Sequence, residues 1–579
     1  MATARLTVMV TSDLHCEVSG WDYLRDRPSR SGGLHRLAPV IARLRAAEPN
    51  TLLLDNGDLL QGNLLADEAA RLAGEAWNAP HPAIAALNAL GYDAAGLGNH
   101  DFDYGLDRLD RALAAAAHPV TCANLRRSGA GALPRDIVLE RRVLCDDGAR
   151  RPLRIGVLGL LPPQTALWNR HHLHDRAEIG DIMAAARERL PALRARCDVV
   201  IALAHTGFGP QLAEPGMENA GHALAALPGI DLLALGHSHL PHVATTRDRA
   251  IVLPGPQGLQ LGVARLALEW QGQAWQVTGR QAELLRGTKA PLPPETPAHR
   301  AAVALARRPV ARLDRPVSTH FALVASSSAL QIVARAQAGH VARALDGRPE
   351  ARLPLVSAVA PFRSGGRYGP GHYALIPRGT VSYRHVADLY PFGNRLVALR
   401  VTGRDLRSWL EQAARIFRRL RPGVADQPLI NADVPPWTFD TLFGLSYRID
   451  LSQAACGAGG RILDLCHAGI PVEPDQPFVI ATNSHRATTA PGEPIYVSRA
   501  PARDILVEEF ARTGRLDAEP ERAWQFAPVP GATALVDTAP EAAQDDRMLA
   551  SLGAEVLGTT PAGFLRLRLP MHPPPRARP

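Results

Sequence analysis

Lysine is almost missing from this chain: of 64 Lys+Arg residues, Lys289 is the one lysine. Its cations are therefore guanidinium groups, which stay charged and fork onto carboxylates and phosphates. Against 56 Asp+Glu the excess is a formal +8. That modest figure concerns solubility and the steering of anions, and it does not mark a binder of nucleic-acid polymers. Apolar runs are short, none approaching the roughly 18 residues of a membrane span, so no membrane partner is expected. Cysteine is sparse too. The six (Cys16, Cys122, Cys145, Cys197, Cys456, Cys466) form no C-x-x-C pair, which argues against a zinc ribbon and a disulfide scaffold. A bridge between Cys456 and Cys466 across a Gly-rich turn is the alternative in an oxidising compartment. Met1–Val10 carries no charged head, apolar stretch and cleavage site ahead of a polar motif at Asp13, so the chain as given reads as cytoplasmic.

What is present is a globular composition. The 579 residues are 46% hydrophobic and 21% charged, with a mean hydropathy of -0.08, enough for a multidomain protein with large cores. Short apolar runs at Leu6–Val10, Leu52–Leu54, Ala94–Leu97, Ile155–Leu160, Val199–Ala204, Leu232–Leu235 and Ile251–Leu253 read as buried strands. Helical spacing at Pro82–Leu90 and Ile182–Arg196 alternates with them, which predicts an α/β layered domain over 1–280. A Pro- and Arg-rich stretch, 281–316, reads as a linker. A helix over Ala329–Leu345, then a strand at Arg395–Thr402 and a helix at Arg404–Ile416, predict a separate α+β domain over 317–530. The Ala/Pro-rich remainder, 531–579, reads as a partly ordered tail.

Polar clusters stand where strands of the first domain end: Asp13-Leu14-His15, Gly57-Asp58, Gly98-Asn99-His100-Asp101, His205 and Gly236-His237-Ser238-His239. Strand ends of an open sheet are where loops converge into sites. In extended backbone, residues i and i+2 project to one side, which would aim Asp13 with His15, and His237 with His239, into a common cavity. Two Asp, one Asn and four His make an oxygen and nitrogen set suited to Mn²⁺, Zn²⁺, Fe²⁺ or Co²⁺. Seven donors are too many for one tetrahedral ion and fit two ions that share a bridging carboxylate.

In this ordered set the sequence resembles the binuclear metallophosphoesterases, and within them the two-domain 5'-nucleotidase superfamily. The branch most similar is the bifunctional 2',3'-cyclic-nucleotide 2'-phosphodiesterase/3'-nucleotidases. The resemblance lies in Thr11-Ser12-Asp13-Leu14-His15, Asp55-Asn56-Gly57-Asp58 through Gly62 with Leu65-Ala66-Asp67, Leu97 to Gly105, Leu203 to Gly207, Glu218-Asn219 and Gly236 to His239. It implies a four-layer α/β β-sandwich flanked by helices, followed by an α+β 5'-nucleotidase C-terminal domain. It also implies two divalent metal ions, one held by Asp13, His15 and His239, the other by Asn99, His205 and His237, with Asp58 bridging. His100 would donate to the phosphoryl group or leaving oxygen, and Asp103 would fix its tautomer. The cyclic branch often has Asn at that position, so Asp103 itself favours a 5'-nucleotidase. Asp101 stands where the motif more commonly has Glu and reads as a supporting carboxylate.

For the nucleotide substrate, the second domain offers Arg363, Gly365, Gly366 and Arg367 in one loop, Asn394 in another, Trp437 and Phe439 in a third, and Asn483 and His485 in a fourth. Trp437 or Phe439 opposite His485 would clamp a base by stacking; the alternative for each aromatic is core packing. Arg363 and Arg367 are read as reaching a ligand anion or, equally, as salt-bridged. His485 replaces a Tyr usual in the cyclic branch. The expected activity is hydrolysis of 2',3'-cyclic nucleotides to 3'-nucleotides and of these to nucleoside and phosphate. The alternatives are a 5'-nucleotidase or nucleotide-sugar hydrolase, thiosulfohydrolase-like sulfur chemistry, and a non-catalytic nucleotide-binding protein.

Overall fold

The computed structural model describes residues 1–29, 31–72, 79–127, 129–173, 176–455, 460–519 and 521–571. Cys456 lies outside them, so the Cys456–Cys466 bridge is not addressed. The chain divides into two compact units, the first spanning Met1–Ala306 and the second beginning at Arg307.

In the first unit the predicted apolar runs become strands, Ala94–Leu97 only at Ala94–Ala95. They are sorted into a five-stranded sheet, in the order Trp275–Arg286, Gln260–Trp270, Thr3–Thr11, Thr51–Asp55, Ala94–Ala95, and a six-stranded sheet. The second runs His242–Thr245, Ala250–Leu253, Leu232–Leu235, Val199–Ala204, Arg150–Leu160, Ile137–Leu144. Leu6, Val8, Val10, Leu52 and Leu54 of one sheet share a core with Ile155, Val157, Ile201, Leu203 and Ala234 of the other. At about 1.5–3 kcal/mol for each large aliphatic side chain withdrawn from water, this interface is what holds the sandwich. The opposite face of the six-stranded sheet is covered by the helices Ile182–Arg194 and Gly221–Ala226. This explains why Val199–Ala204 is buried at all six positions and shows no polar alternation.

Register decides where the site forms. Thr11 pairs with Asp55 and Asp55 with Ala95, all parallel; Ala204 pairs with Leu160 and Leu235, again parallel. Strands that end level release their following loops side by side.

The expected linker, 281–316, is not one. Residues to Arg286 finish a strand of the first sheet, Pro297–Arg307 is a helix, and Pro309–Leu313 is a strand paired with Gly379–Ser382 and Arg515–Leu516 in the second unit. Its prolines sit between elements or at their starts, where a missing N–H costs little. The expected tail is likewise corrected. Thr533–Thr538, Glu555–Thr559 and Leu565–Pro570 form a sheet with Gln427–Pro428, and Val536, Leu567 and Met571 belong to the same core as Ala311 and Phe417. The alternation Leu565, Leu567, Leu569 against Arg566 and Arg568 is a half-buried strand that the Ala/Pro composition concealed. The centre of the second unit is a five-stranded sheet, ordered Thr441–Phe443, Leu355–Val359, Pro477–Asn483, Arg395–Thr402, Glu493–Pro501, and backed by the helix Ser328–Ala344.

Candidate metal centre

The strands end at Thr11 and Leu235, so Asp13, His15, His237 and His239 are not strand residues. The expectation that they project together from extended backbone is corrected: their φ values are 53°, 48°, 66° and 58°, and Asp58 has 55°. Five non-glycine donors thus occupy the left-handed region, at about 1–3 kcal/mol of strain each. The turn is enforced by cross-loop hydrogen bonds in which the amides of Asp13 and His15 donate to the carbonyls of Gly57 and Asp58, both at 2.9 Å. Gly57 and Gly98 allow the loops this contact, since a Cβ on Gly57 would lie 2.2 Å from the Gly98 amide and one on Gly98 would lie 2.1 Å from Asp58 Oδ1.

Donor atoms of Asp13, His15, Asp58 and His239 all lie within 4.8 Å of one another. His15 Nε2 is 3.1 Å from His239 Nε2, and His239 Nε2 is 3.2 Å from Asp13 Oδ1. On the far side of Asp58, His205 Nε2 lies 3.1 Å from its Oδ2, and His237 Nδ1 lies 2.9 Å from Asn99 Oδ1. His237 is joined to Asp13 through its backbone amide, which donates to Oδ1 at 3.0 Å, and His205 meets the His237 ring edge-on at 5.6 Å.

The hydrogen bonds behind the rings suit cations in front. His15 Nδ1 donates to the Gln61 carbonyl at 2.9 Å and His205 Nδ1 to the Asn56 carbonyl at 2.8 Å. In the neutral ring each Nε2 is then left with its lone pair facing inward, and His205 Nε2 is buried 3.1 Å from Asp58 Oδ2. Burial pulls the His15 imidazole down to about 4 despite Asp58, which keeps it a neutral donor. Burial alone would also lower His205, but the Asp58 and Asp13 carboxylates outweigh it and raise it to about 10. The pocket thus demands positive charge: burial opposes ionisation of both carboxylates, yet the surrounding imidazoles, His205 foremost, hold them below their usual range. These residues fit divalent cations.

Beside the donors, His100 Nδ1 is 2.8 Å from Asp103 Oδ2, and its backbone amide donates to Asp58 Oδ1 at 2.8 Å. Burial disfavours its charged form, but Asp103 and then Asp58 prevail and raise it to about 9. Asp101 is buried. Its carboxylate accepts from the amides of Gly98, Asp58, Leu59 and Leu60 at 2.8–3.0 Å, so it fastens the Asp58 loop to the Asn99 loop. Two neighbours escaped the sequence reading. Trp168 stacks on His237 at 5.8 Å and 22° and carries no motif. Glu218, seen only as part of a motif with Asn219, places Oε1 2.8 Å from His237 Nε2.

In the second unit, Arg367 lies over the rings of Trp437 (4.9 Å) and Tyr368 (5.2 Å). Gly365 and Gly366, with φ of 75° and 60°, form the turn that presents it. Arg363 is ion-paired with Asp388 at 2.6 Å. Asn483 Oδ1 accepts from the Arg486 amide at 2.9 Å, and Arg486 also donates to the Trp437 carbonyl, tying the Trp437 loop to the exposed His485 loop. The Asn394 carbonyl accepts from the Ala502 amide at 2.7 Å. Phe439 is corrected: it is 1% exposed and packs edge-on against Phe417 and Trp524, because the short 3₁₀ turn Pro436–Thr438 leaves Trp437 half-buried and turns Phe439 into the core.

Residues 6–241 match the calcineurin-like phosphoesterase family and 311–496 the 5'-nucleotidase C-terminal domain. A 2',3'-cyclic-nucleotide 2'-phosphodiesterase/3'-nucleotidase of Salmonella typhimurium is 32% identical over 92% of this chain and 90% of its own. The chain belongs to the two-domain 5'-nucleotidase family. The trifunctional nucleotide phosphoesterase protein YfkN of Bacillus subtilis is 32% identical over 91% of this chain, which spans 39% of that longer protein. A 5'-nucleotidase precursor from Thermus thermophilus shares the fold, with a TM-score of 0.62 at 20% identity over 91% of this chain and 100% of that one. Family membership makes this chain a phosphoric ester hydrolase; the calcineurin-like phosphoesterase family implies divalent metal ions, and nucleotide substrates fit the nucleotidase family. Among the described residues no helix is long and apolar enough to cross a membrane.

Proposed function

We propose that this enzyme hydrolyses 2',3'-cyclic nucleotides at the 2' side and then removes the resulting 3'-phosphate, releasing nucleoside and inorganic phosphate, at one centre that takes two divalent cations. The observation that carries the reading is the cluster of Asp13, His15, Asp58 and His239 donor atoms within 4.8 Å of one another, with His205 against Asp58, His237 against Asn99, and His100 beside them. Asp13, His15 and His239 would hold one ion, Asn99, His205 and His237 the other, and Asp58 would bridge; Mn²⁺, Zn²⁺, Fe²⁺ and Co²⁺ all suit such a set. When bound, such a pair polarises phosphoryl oxygens and lowers the pKa of water. The protein's own contribution is orientation and proton transfer. Asp103 holds Nδ1–H of His100, so Nε2 is the position from which a proton passes to the departing ester oxygen as its bond to phosphorus breaks. In the second domain, the face of Trp437 and the guanidinium of Arg367 suit a base and an anion respectively.

The names of the full-length relatives support the cyclic-nucleotide assignment, and Asp103 is the feature that favours the 5'-nucleotidase alternative. The test compares 2',3'-cyclic AMP, 3'-AMP, 5'-AMP and a nucleotide sugar, each with Mn²⁺ or with chelator, for wild type and His100→Ala. Preference for the first two substrates, abolished by chelation, is expected. A tenfold preference for 5'-AMP would transfer the protein to the alternative.

A further inference from the structure

His237 is held on every side. Its backbone amide donates to Asp13 Oδ1 at 3.0 Å, its ring stacks on Trp168, and its edge meets His205 with centroids 5.6 Å apart. Its two ring nitrogens face opposite partners, Nε2 toward Glu218 Oε1 at 2.8 Å and Nδ1 toward Asn99 Oδ1 at 2.9 Å. An ionised carboxylate only accepts, so the nitrogen facing Glu218 carries the proton and Nδ1 keeps a lone pair. In that tautomer Nδ1 and the Asn99 amide oxygen lie 2.9 Å apart with no proton between them, a spacing that two ligands of one cation can take.

Glu218 is not a loose surface acid that happens to reach His237. Its carbonyl accepts from Thr206 Oγ1 at 2.7 Å, the Ala220 amide donates to the same hydroxyl at 2.9 Å, and Asn219 Oδ1 accepts from the Gly207 amide at 3.0 Å. The loop carrying Glu218 is thereby fixed to the segment immediately following His205. One donor, His205, and the orienter of another, His237, ride on a single braced unit.

We propose that Glu218 is a positioning residue for the cation that His237 and Asn99 would share. It selects the Nδ1 lone-pair tautomer of the ring and fixes its orientation, as a carboxylate behind a metal-binding imidazole does. His15 and His205 are oriented by neutral carbonyls instead, so of these three imidazoles His237 alone has a carboxylate behind it. The assignment rests on the two-cation reading above.

The test is Co²⁺ uptake by chelator-stripped protein, followed by the cobalt absorption spectrum in competition with a chromogenic chelator, for wild type, Glu218→Ala and Glu218→Gln. Wild type is expected to take up two equivalents. Glu218→Ala should bind one with unchanged affinity and the other about 10- to 100-fold more weakly. Glu218→Gln, whose amide oxygen still accepts from Nε2, should recover most of that loss. The melting temperature of the stripped variants should match wild type. Two equivalents at wild-type affinity in Glu218→Ala, or equal weakening of both with a lowered melting temperature, would overturn the assignment. Uptake of a single equivalent by wild type would instead overturn the two-cation reading, and this assignment with it.

Discussion

Asp103 Oδ2 sits 2.8 Å from His100 Nδ1, three residues earlier in the chain. The pair spans a 3₁₀ turn, His100–Phe102, whose geometry brings i and i+3 together. A carboxylate there acts only through the imidazole it orients. His100→Ala is expected to lower kcat by about 10²–10⁴ with the metal content unchanged, Asp103→Asn to lower it less, and the double variant to match His100→Ala. Additive losses in steady-state kinetics would show that the two act separately.

Asp101 gathers four backbone amides with one carboxylate, at 2% exposure. Asp101→Ala would strand these donors in the interior, at roughly 1–3 kcal/mol for each one left unsatisfied. Denaturant titration should report a loss of several kcal/mol, and the stripped protein should recover metal poorly because the Asp58 loop is no longer fixed.

Trp437 and Phe439 make a paired test of stacking against packing. Trp437→Ala is expected to raise KM for a nucleotide, the loss of roughly 1–3 kcal/mol of stacking, with little change in melting temperature. Phe439→Ala should do the reverse, destabilising by about 3–5 kcal/mol while folded protein keeps its KM. Equal effects on KM would mean that the Phe439 cluster shapes the substrate surface directly.

Two helix starts depend on a neutral imidazole. His81 Nδ1 accepts from the Ala83 amide at 3.2 Å, and His385 Nδ1 accepts from the Ser382 amide at 3.0 Å. Burial lowers both to about 4. The unfolded chain therefore binds protons that the folded one refuses, so their contribution is complete above about pH 6.5 and is lost as pH falls toward 4. The variants His81→Asn and His385→Gln should flatten the decline of melting temperature between pH 6.5 and 4. An unchanged slope would show that carboxylates alone set the acid limit.

The donors Asp13, His15, Asp58, Asn99, His205, His237 and His239 were legible because each follows an apolar run that forms a strand in either context, and their order and chemistry leave few other readings. How they meet was not legible. Alternation along a strand is a local property, whereas the left-handed turns at Asp13, His15, His237 and His239 exist because separate loops exchange hydrogen bonds across the sheet ends. Composition misled at 281–316 and 531–579, where Pro and Ala between elements hid strands whose partners are far away in sequence.

What the sequence determined by itself was the inventory: strands, donors and the His100–Asp103 spacing, all fixed by residue type within a few positions. The tertiary structure alone decided that Phe439 is buried while Trp437 is half-buried, which ring nitrogen of His15, His205 and His237 is held from behind, and that Glu218 stands behind His237. Those depend on burial and on hydrogen bonds between distant segments, and no local pattern encodes the partner a side chain meets when the chain closes.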